Sequence, residues 1–462
     1  MKYGSTRGGT DPVNFVEACL QGLAPGGGLY VPEAWPAIDI VSTQEPYAAL
    51  AARVLSAFAG DALPADTLST ICRSAYAGFA HQAVAPLVQT GANQWMMELH
   101  HGPTLAFKDV AMQFIGGLYD HVLSARGQRM TVICATSGDT GGAAAAAFAG
   151  SDHVDLVILH PHERISPVQR KFMTTTGASN VHNLALDGDF DACQAIVKSL
   201  FADTAFARSV SLTGVNSINW ARIAAQIGYF AAAQAALGPD RPLRFIVPSG
   251  NMGDALAGYV AAKCGLLTDP EIHCGVNANR TLAEVFKTGR LERSSAVATP
   301  SPAMDITAPS NFERVVYDLA RGNTDTTRRF YEAFLQAGSA DLPVDVKSGL
   351  EASCLSASSV SNDETDHEMR RVLAETGWLI CPHTAVGFSA ATHLPVVDRP
   401  TIVLSTAHAA KFPETVERAT GRRPELPAHC ADLDARAEVF EQLPANLDDV
   451  RRKVLNLAEV PC

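Results

Sequence analysis

A lysine set among apolar residues is the first place in this chain where chemistry can start. Residues 101–109 read HGPTLAFKD, with Lys108 directly after Ala106 and Phe107. Apolar neighbours desolvate an amine, disfavour its ammonium form and free it for nucleophilic or imine chemistry. Three other stretches carry the groups such an amine would need. SGNMGD, residues 249–254, follows the apolar run LRFIVP and opens a helical pattern. Its glycines let the backbone approach a ligand closely, and the N–H groups of a helix start favour a phosphate. A tight strand-to-helix connection without a ligand fits the same residues, and no GxxxxGK[ST] run points to a nucleotide triphosphate. TSGDTGG, residues 136–142, has the same placement. Thr136, Ser137 and Thr140, with the adjoining backbone N–H groups, suit a substrate carboxylate, or alternatively cap the helix that follows. Thr406 closes the run TIVLS. Its hydroxyl can serve a ring nitrogen, a carboxylate or its own turn.

Positioning these groups falls to an alternation that begins at residue 130. MTVICATSG leads into GGAAAAAFAG, VDLVILHP precedes SPVQRKFMTT, VHNLALDG precedes FDACQAIVKSLF, and LRFIVPSG precedes DALAGYVAAKCG. Short β-rich runs followed by loops and helical stretches predict an α/β fold of parallel strands with crossover helices, whose ligands bind beyond the carboxyl ends of the strands. Residues 1–90 carry helical patterns at 13–23 and 47–60, with APGGGLYVPEAW as a turn between them. ATPSPAMDITAPSNF, within the Ser-, Thr- and Pro-rich stretch 293–362, reads as a long surface connection. Residues 376–391 and 401–412 resume the strand-loop-helix pattern, and the polar tail after 420 reads as peripheral helices.

Composition narrows the function. The chain has 462 residues, 47% hydrophobic and 18% charged, enough for a sizeable core. A net charge of −12 argues against nucleic-acid binding, so any anion must be held by local groups. Ten scattered cysteines without CxxC predict reduced thiols in a cytoplasmic protein. No apolar run is long enough to span a membrane. His100, His101, His160, His162, His383 and His408 lack HExxH or zinc-ribbon spacing, so no metal site is expected. GxSxG is also absent.

Taken in order, YGSTRG, HGPTLAFKD, ATSGDTGGA, ISPVQRK, DGDFDACQA, NSIN, PSGNMGD and STAHAAKF resemble the threonine synthase family, in its longer bacterial and fungal branch. The resemblance implies a pyridoxal 5′-phosphate enzyme of fold type II, tryptophan synthase β-like. Two open, mostly parallel sheets with helices on both faces are expected, plus an N-terminal region. The implied division is 1–95 N-terminal, 96–110 with 225–420 the large cofactor-binding domain, 111–224 the smaller domain, and 421–462 a helical tail. It also implies that Lys108 holds the cofactor as a Schiff base, that Gly250, Asn251, Met252, Gly253 and Asp254 bind its phosphate, and that Thr406 faces its ring nitrogen. Asp139 stands where many relatives have asparagine beside the 3′-oxygen; a carboxyl there must be protonated or turned away. Thr136, Ser137, Gly138 and Thr140 match the substrate-carboxylate loop. The implied reaction turns O-phospho-L-homoserine and water into L-threonine and phosphate, by β,γ-elimination and water addition at Cβ. That substrate needs a second phosphate pocket, for which Lys171, beside Arg170, and Asn216, Ser217 and Asn219 are candidates. A small-molecule substrate is the only partner implied, with a monomer or homodimer as the assembly. A phospholyase acting on another amino phosphate and a catalytically idle interaction protein are the alternatives. Met252 replaces a usual phenylalanine and Ala409 a common proline.

Overall fold

VDLVILHP and RFIVP are buried along their whole length, as strands covered on both faces by helices must be. The computed structural model describes residues 1–39 and 45–458; Cys462 and the last residues of the tail lie outside them. In chain order the strands of the two main sheets are β1 (Leu87–Gly91), β2 (Gln94–Glu98), β3 (Met130–Ala135), β4 (Val154–Pro161), β5 (Val181–Asp187) and β6 (Leu212–Thr213). Then come β7 (Arg244–Pro248), β8 (Glu271–Val276), β9 (Leu355–Ser359), β10 (Thr401–Ser405) and β11 (Glu441–Pro444). One sheet has six strands in the order β9-β8-β7-β10-β2-β1, all pairs parallel except β1 with β2. The other has five, β11-β5-β4-β3-β6, all parallel. The fold is therefore the expected fold type II architecture of two mostly parallel sheets.

Six helices matter for the site: α1 (Lys108–Arg126), α2 (Asp139–Phe148), α3 (Pro167–Thr174), α4 (Trp220–Leu237), α5 (Gly253–Lys263) and α6 (Pro382–Thr392). Their starts are set by sequence. Ser166 accepts from the Gln169 N–H ahead of Pro167, and the Asn219 side chain accepts from the Ala221 N–H, caps that stabilise a helix by about 1 kcal/mol each. In the larger sheet the strand order reverses between β7 and β10, which opens a crevice at their carboxyl ends. The amino-terminal residues form a small antiparallel sheet, and Tyr3 and Phe58 pack on buried Trp220 of α4.

Several expectations need correction. Within 293–362, residues 298–311 form an irregular connection with a short turn at Pro302–Met304, but a partly buried one rather than a surface one, and the rest holds helices Phe312–Leu319, Thr324–Ala337 and Val344–Glu351, and edge strand β9. Polar groups of the connection are satisfied internally, since Asp305 accepts from Asn277, Asn279 and Thr299. Composition cannot distinguish that from solvation. Within 376–391 no strand precedes α6. Within APGGGLYVPEAW, Tyr30–Pro32 is a strand rather than part of a turn. The tail is not wholly helical, for β11 adds to β5 as the edge of the smaller sheet. Among the described residues no helix is long and apolar enough to cross a membrane.

Candidate active site

The loop between β2 and α1 is stapled by a carboxylate. Buried Asp109 accepts from the Thr104 N–H at 2.9 Å, the Thr104 hydroxyl at 2.6 Å and the Ala106 N–H at 3.4 Å. Only glycine fits at 102, where a Cβ would stand 2.4 Å from that of Asp109. Leu105 holds a positive φ of 61°, a strained conformation for a branched residue. The strain is retained by a bridge between Ala106 and Ala407 and by hydrogen bonds from Phe107 N to Thr406 O and from His408 N to Leu105 O. Lys108, first residue of α1, is thereby fixed beside Thr406.

The Lys108 Nζ lies 3.3 Å from Asp139 Oδ2 and 4.7 Å from the centre of the Phe107 ring. Burial pushes its pKa down; Asp139 opposes the shift, and the cations of Arg222 and Lys411 reinforce it. Phe107 does not itself neutralise the amine, because an aromatic face favours a cation. Asp139 faces two lysines. Burial alone would raise its pKa, but the ammoniums of Lys411 and Lys108 hold the carboxyl well below the usual range. Lys411 Nζ approaches Asp139 Oδ1 at 2.9 Å, and Gln169 Nε2 donates to the same oxygen at 2.9 Å.

After β7 the chain makes the turn Ser249–Met252, with Met252 at φ 60°, and enters α5 with no side chain capping its start. The N–H groups there are open to a ligand. A Cβ on Gly250 would come within about 3.1 Å of the Ala303 carbonyl and 3.0 Å of Met304 Cα, so glycine lets 302–306 close over the turn. Asn251 is held from behind, its Oδ1 accepting from Ser310 Oγ. Met252 offers only its backbone, since its side chain is in the core. Asp254 accepts a short hydrogen bond from the Tyr229 hydroxyl. Burial pushes its carboxyl up to about 7, against the opposing effects of Tyr229, Lys108 and Arg222.

In the Thr136–Gly142 loop, Thr136 Oγ1 accepts from the N–H groups of Gly138 and Gly141; it is the loop's own cap. Ser137 and Thr140 line the cavity. Gly138, at φ 132°, has Gln169 packed where its Cβ would be, which seats Gln169 against Asp139. Asn216 and Ser217 also line the cavity, whereas Asn219 does not: its Nδ2 donates to the carbonyls of Cys19 and Gly214. Nor do Arg170 and Lys171. A helix turns about 100° per residue, so with Gln169 facing inward they face the tail, pairing with Glu438 and Asp434.

One cavity of about 550 Å³ joins Lys108, Asp139, the 249–254 turn and Thr406. Around it sit six buried polar atoms without a protein partner: Asn216 Oδ1, Arg222 Nε, Gln226 Oε1, Ser249 Oγ, Asp254 Oδ2 and His383 Nδ1. Buried groups are rarely left unpaired, so six around one cavity describe a site shaped for a polar ligand. Arg222 was missed in the sequence, yet it is the one charge in the otherwise uncharged helix WARIAAQIGYFAAAQAAL. No carboxylate pairs with it among the described residues. Burial lowers its pKa to about 10, leaving it a cation at neutral pH. Gln169 and Lys411 were also missed, because only the packing of α3 and of the turn after Thr406 brings them to Asp139.

The chain matches family models described as "Threonine synthase N terminus" over residues 2–76, "Pyridoxal-phosphate dependent enzyme" over 82–336 and "Threonine synthase, C-terminal" over 384–454. It is 43% identical to the threonine synthase of Pseudomonas aeruginosa, covering 98% of this chain and 97% of that one. With the Saccharomyces cerevisiae threonine synthase it shares 38% identity, over 90% and 88% of the two chains. The crystal structure of pyridoxal-phosphate-bound threonine synthase from Brucella melitensis matches with a TM-score of 0.95 at 42% identity, covering 100% of both chains.

Proposed function

The chain belongs to the threonine synthase family of pyridoxal-phosphate-dependent enzymes, and from that premise we propose that its cavity converts O-phospho-L-homoserine and water into L-threonine and phosphate. The observation that carries the site assignment is the meeting, in one cavity with Lys108, of two kinds of anion-binding group: the uncapped start of α5 and the guanidinium of Arg222. A phosphorylated cofactor and a phosphorylated substrate require two.

The residues fit the cofactor. Ser249 Oγ lacks a partner at the turn where a phosphate would rest, and the Gly250–Gly253 backbone with the α5 dipole favours its charge. Thr406, at the end of β10, serves the ring nitrogen. Bound there, pyridoxal phosphate supplies a conjugated ring that takes up the negative charge left when protons depart from the substrate's Cα and Cβ.

Lys108 would anchor the cofactor, and its amine, when free, takes the protons from Cα and Cβ and returns them to Cγ and Cα. Ser137, Thr140 and the adjoining N–H groups hold the substrate carboxylate. Arg222, Asn216 and Ser217 hold the substrate's phosphate, and the fixed cation stabilises it as it leaves Cγ. The 302–306 segment, packed on Gly250 and hydrogen-bonded from Ala303 N to His383 Nε2, covers the cavity and limits its water. The nine described cysteines, all free, support a reducing compartment, hence the cytoplasm.

The test is a visible absorbance spectrum with and without O-phospho-L-homoserine, with released phosphate and threonine both measured. Lys108→Ala is expected to lose the lysine-bound absorbance and threonine formation together. Threonine made by that variant, or phosphate released with a keto acid and no threonine, would overturn the assignment.

A further inference from the structure

Two lysines share one carboxylate beside this cavity. Asp139 Oδ1 takes Lys411 Nζ at 2.9 Å while its Oδ2 faces Lys108 Nζ at 3.3 Å. Their surroundings differ. Lys411 is wholly buried and fully used: its ammonium also donates to the Thr104 carbonyl at 2.7 Å and lies 5.2 Å from the centre of the Phe172 ring. It does not line the cavity. Lys108 does, and among the described residues its partners are Asp139 and the face of Phe107. Two amines that share Asp139, with buried Asp109 the next carboxylate to Lys411, are costly to keep both charged in a low dielectric. Shedding one proton removes that cost, and the amine with fewer partners sheds it more readily.

We propose that Lys411 is a positioning residue for Lys108: by taking Asp139 as its own counter-ion, it leaves the amine of Lys108 neutral and reactive. Gln169 keeps Asp139 turned toward Lys411. The inference rests on the reading that Lys108 captures the cofactor, a step in which the amine lone pair attacks the aldehyde carbon and water is expelled. The titratable groups facing Lys108 are Asp139, Arg222, Lys411, Asp254 and His383, so both partners of the lysine pair are varied in the test.

The acidity of Lys108 is read in the full chain stripped of cofactor. The rate at which acetic anhydride acylates it is followed against pH by peptide mass spectrometry, and the rate of capturing added pyridoxal phosphate is followed by absorbance. Lys411→Met is expected to free Asp139 for Lys108, moving both profiles to higher pH by about one unit, or about tenfold slower capture at neutral pH. Asp139→Asn is expected to move them the opposite way. The double variant, with neither counter-ion nor competing cation, is expected to return toward the wild-type profile, as is Lys411→Arg. Should Lys411→Met fail to fold, Asp139→Asn still decides: a shift to higher pH, or none, refutes the proposal, as do unmoved profiles in Lys411→Met. A Lys108→Ala chain that still captures cofactor covalently would instead sink the underlying reading.

Discussion

Arg222→Met separates the two phosphate sites. The wild-type guanidinium is fully buried, lines the cavity, donates from Nη1 to the Val215 carbonyl and has an unpartnered Nε. If it holds the substrate's phosphate, its removal leaves a buried dianion without its cation. Truncating one member of such a pair costs about 2–5 kcal/mol, and at about 1.4 kcal/mol per decade that is roughly a 30- to 5,000-fold loss in kcat/KM. The assay is phosphate release from O-phospho-L-homoserine across substrate concentrations, paired with cofactor affinity by absorbance titration. The cofactor constant is expected to stay within about twofold of wild type, because the site proposed for that phosphate is the backbone of turn 249–253 rather than the guanidinium. Stability is a third readout: replacing an unpaired buried charge with an apolar side chain is neutral or stabilising, so the melting temperature is expected not to fall. Weakened cofactor affinity with an unchanged kcat/KM would refute the assignment of Arg222 to the substrate.

Lys171→Ala is expected to leave kcat/KM within about twofold in the same assay, since its partner is the exposed Asp434 and exposed ion pairs contribute about 0–1 kcal/mol. Gly250→Ala places a Cβ against the backbone of Ala303 and Met304; overpacking of about 1–3 kcal/mol is expected to lower the melting temperature and weaken cofactor affinity measured by absorbance titration. Asp254 has a folded-state pKa raised to about 7, so the stability it contributes is full below about pH 4 and is lost as pH rises toward 7. In the cofactor-free chain, thermal melts from pH 5 to 7.5 should show that decline in wild type and a flatter profile in Asp254→Asn.

What could be read in the sequence was whatever depends on neighbours along the chain. The alternation from residue 130 predicts strands and helices because periodicity and strand-end glycines are local properties, and the turns after β3, β7 and β10 bring Ser137, Thr140, Gly250 and Thr406 to one cavity. Facing was harder. ISPVQRK draws attention to its cations, but the packing of α3 turns Gln169 inward and leaves Arg170 and Lys171 to the tail. Asn216 and Asn219 differ by three residues, and one lines the cavity while the other caps α4. The segment 298–312 is a long connection, as its composition suggests, but a partly buried one, because Asp305 accepts from Thr299, Asn277 and Asn279 instead of meeting water.

The charge arrangement explains how so acidic a chain receives two anions. A net charge of −12 repels phosphate at long range, but fields from surface carboxylates are screened within about 10 Å at ordinary ionic strength. Inside the cavity the nearby groups decide. Lys411 pairs with Asp139, and burial, against the hydrogen bond from Tyr229, lets Asp254 keep its proton up to about pH 7. At the Lys108 end of the cavity these two carboxyls then oppose an incoming phosphate less, while Arg222, and Arg164 farther along the lining, offer it positive charge. Lys108 is left as the group that can give up its proton at little cost, as an amine that must attack an aldehyde requires. The acid that seems misplaced beside an anion site, Asp139, is therefore occupied by Lys411, and the amine of Lys108 stays free.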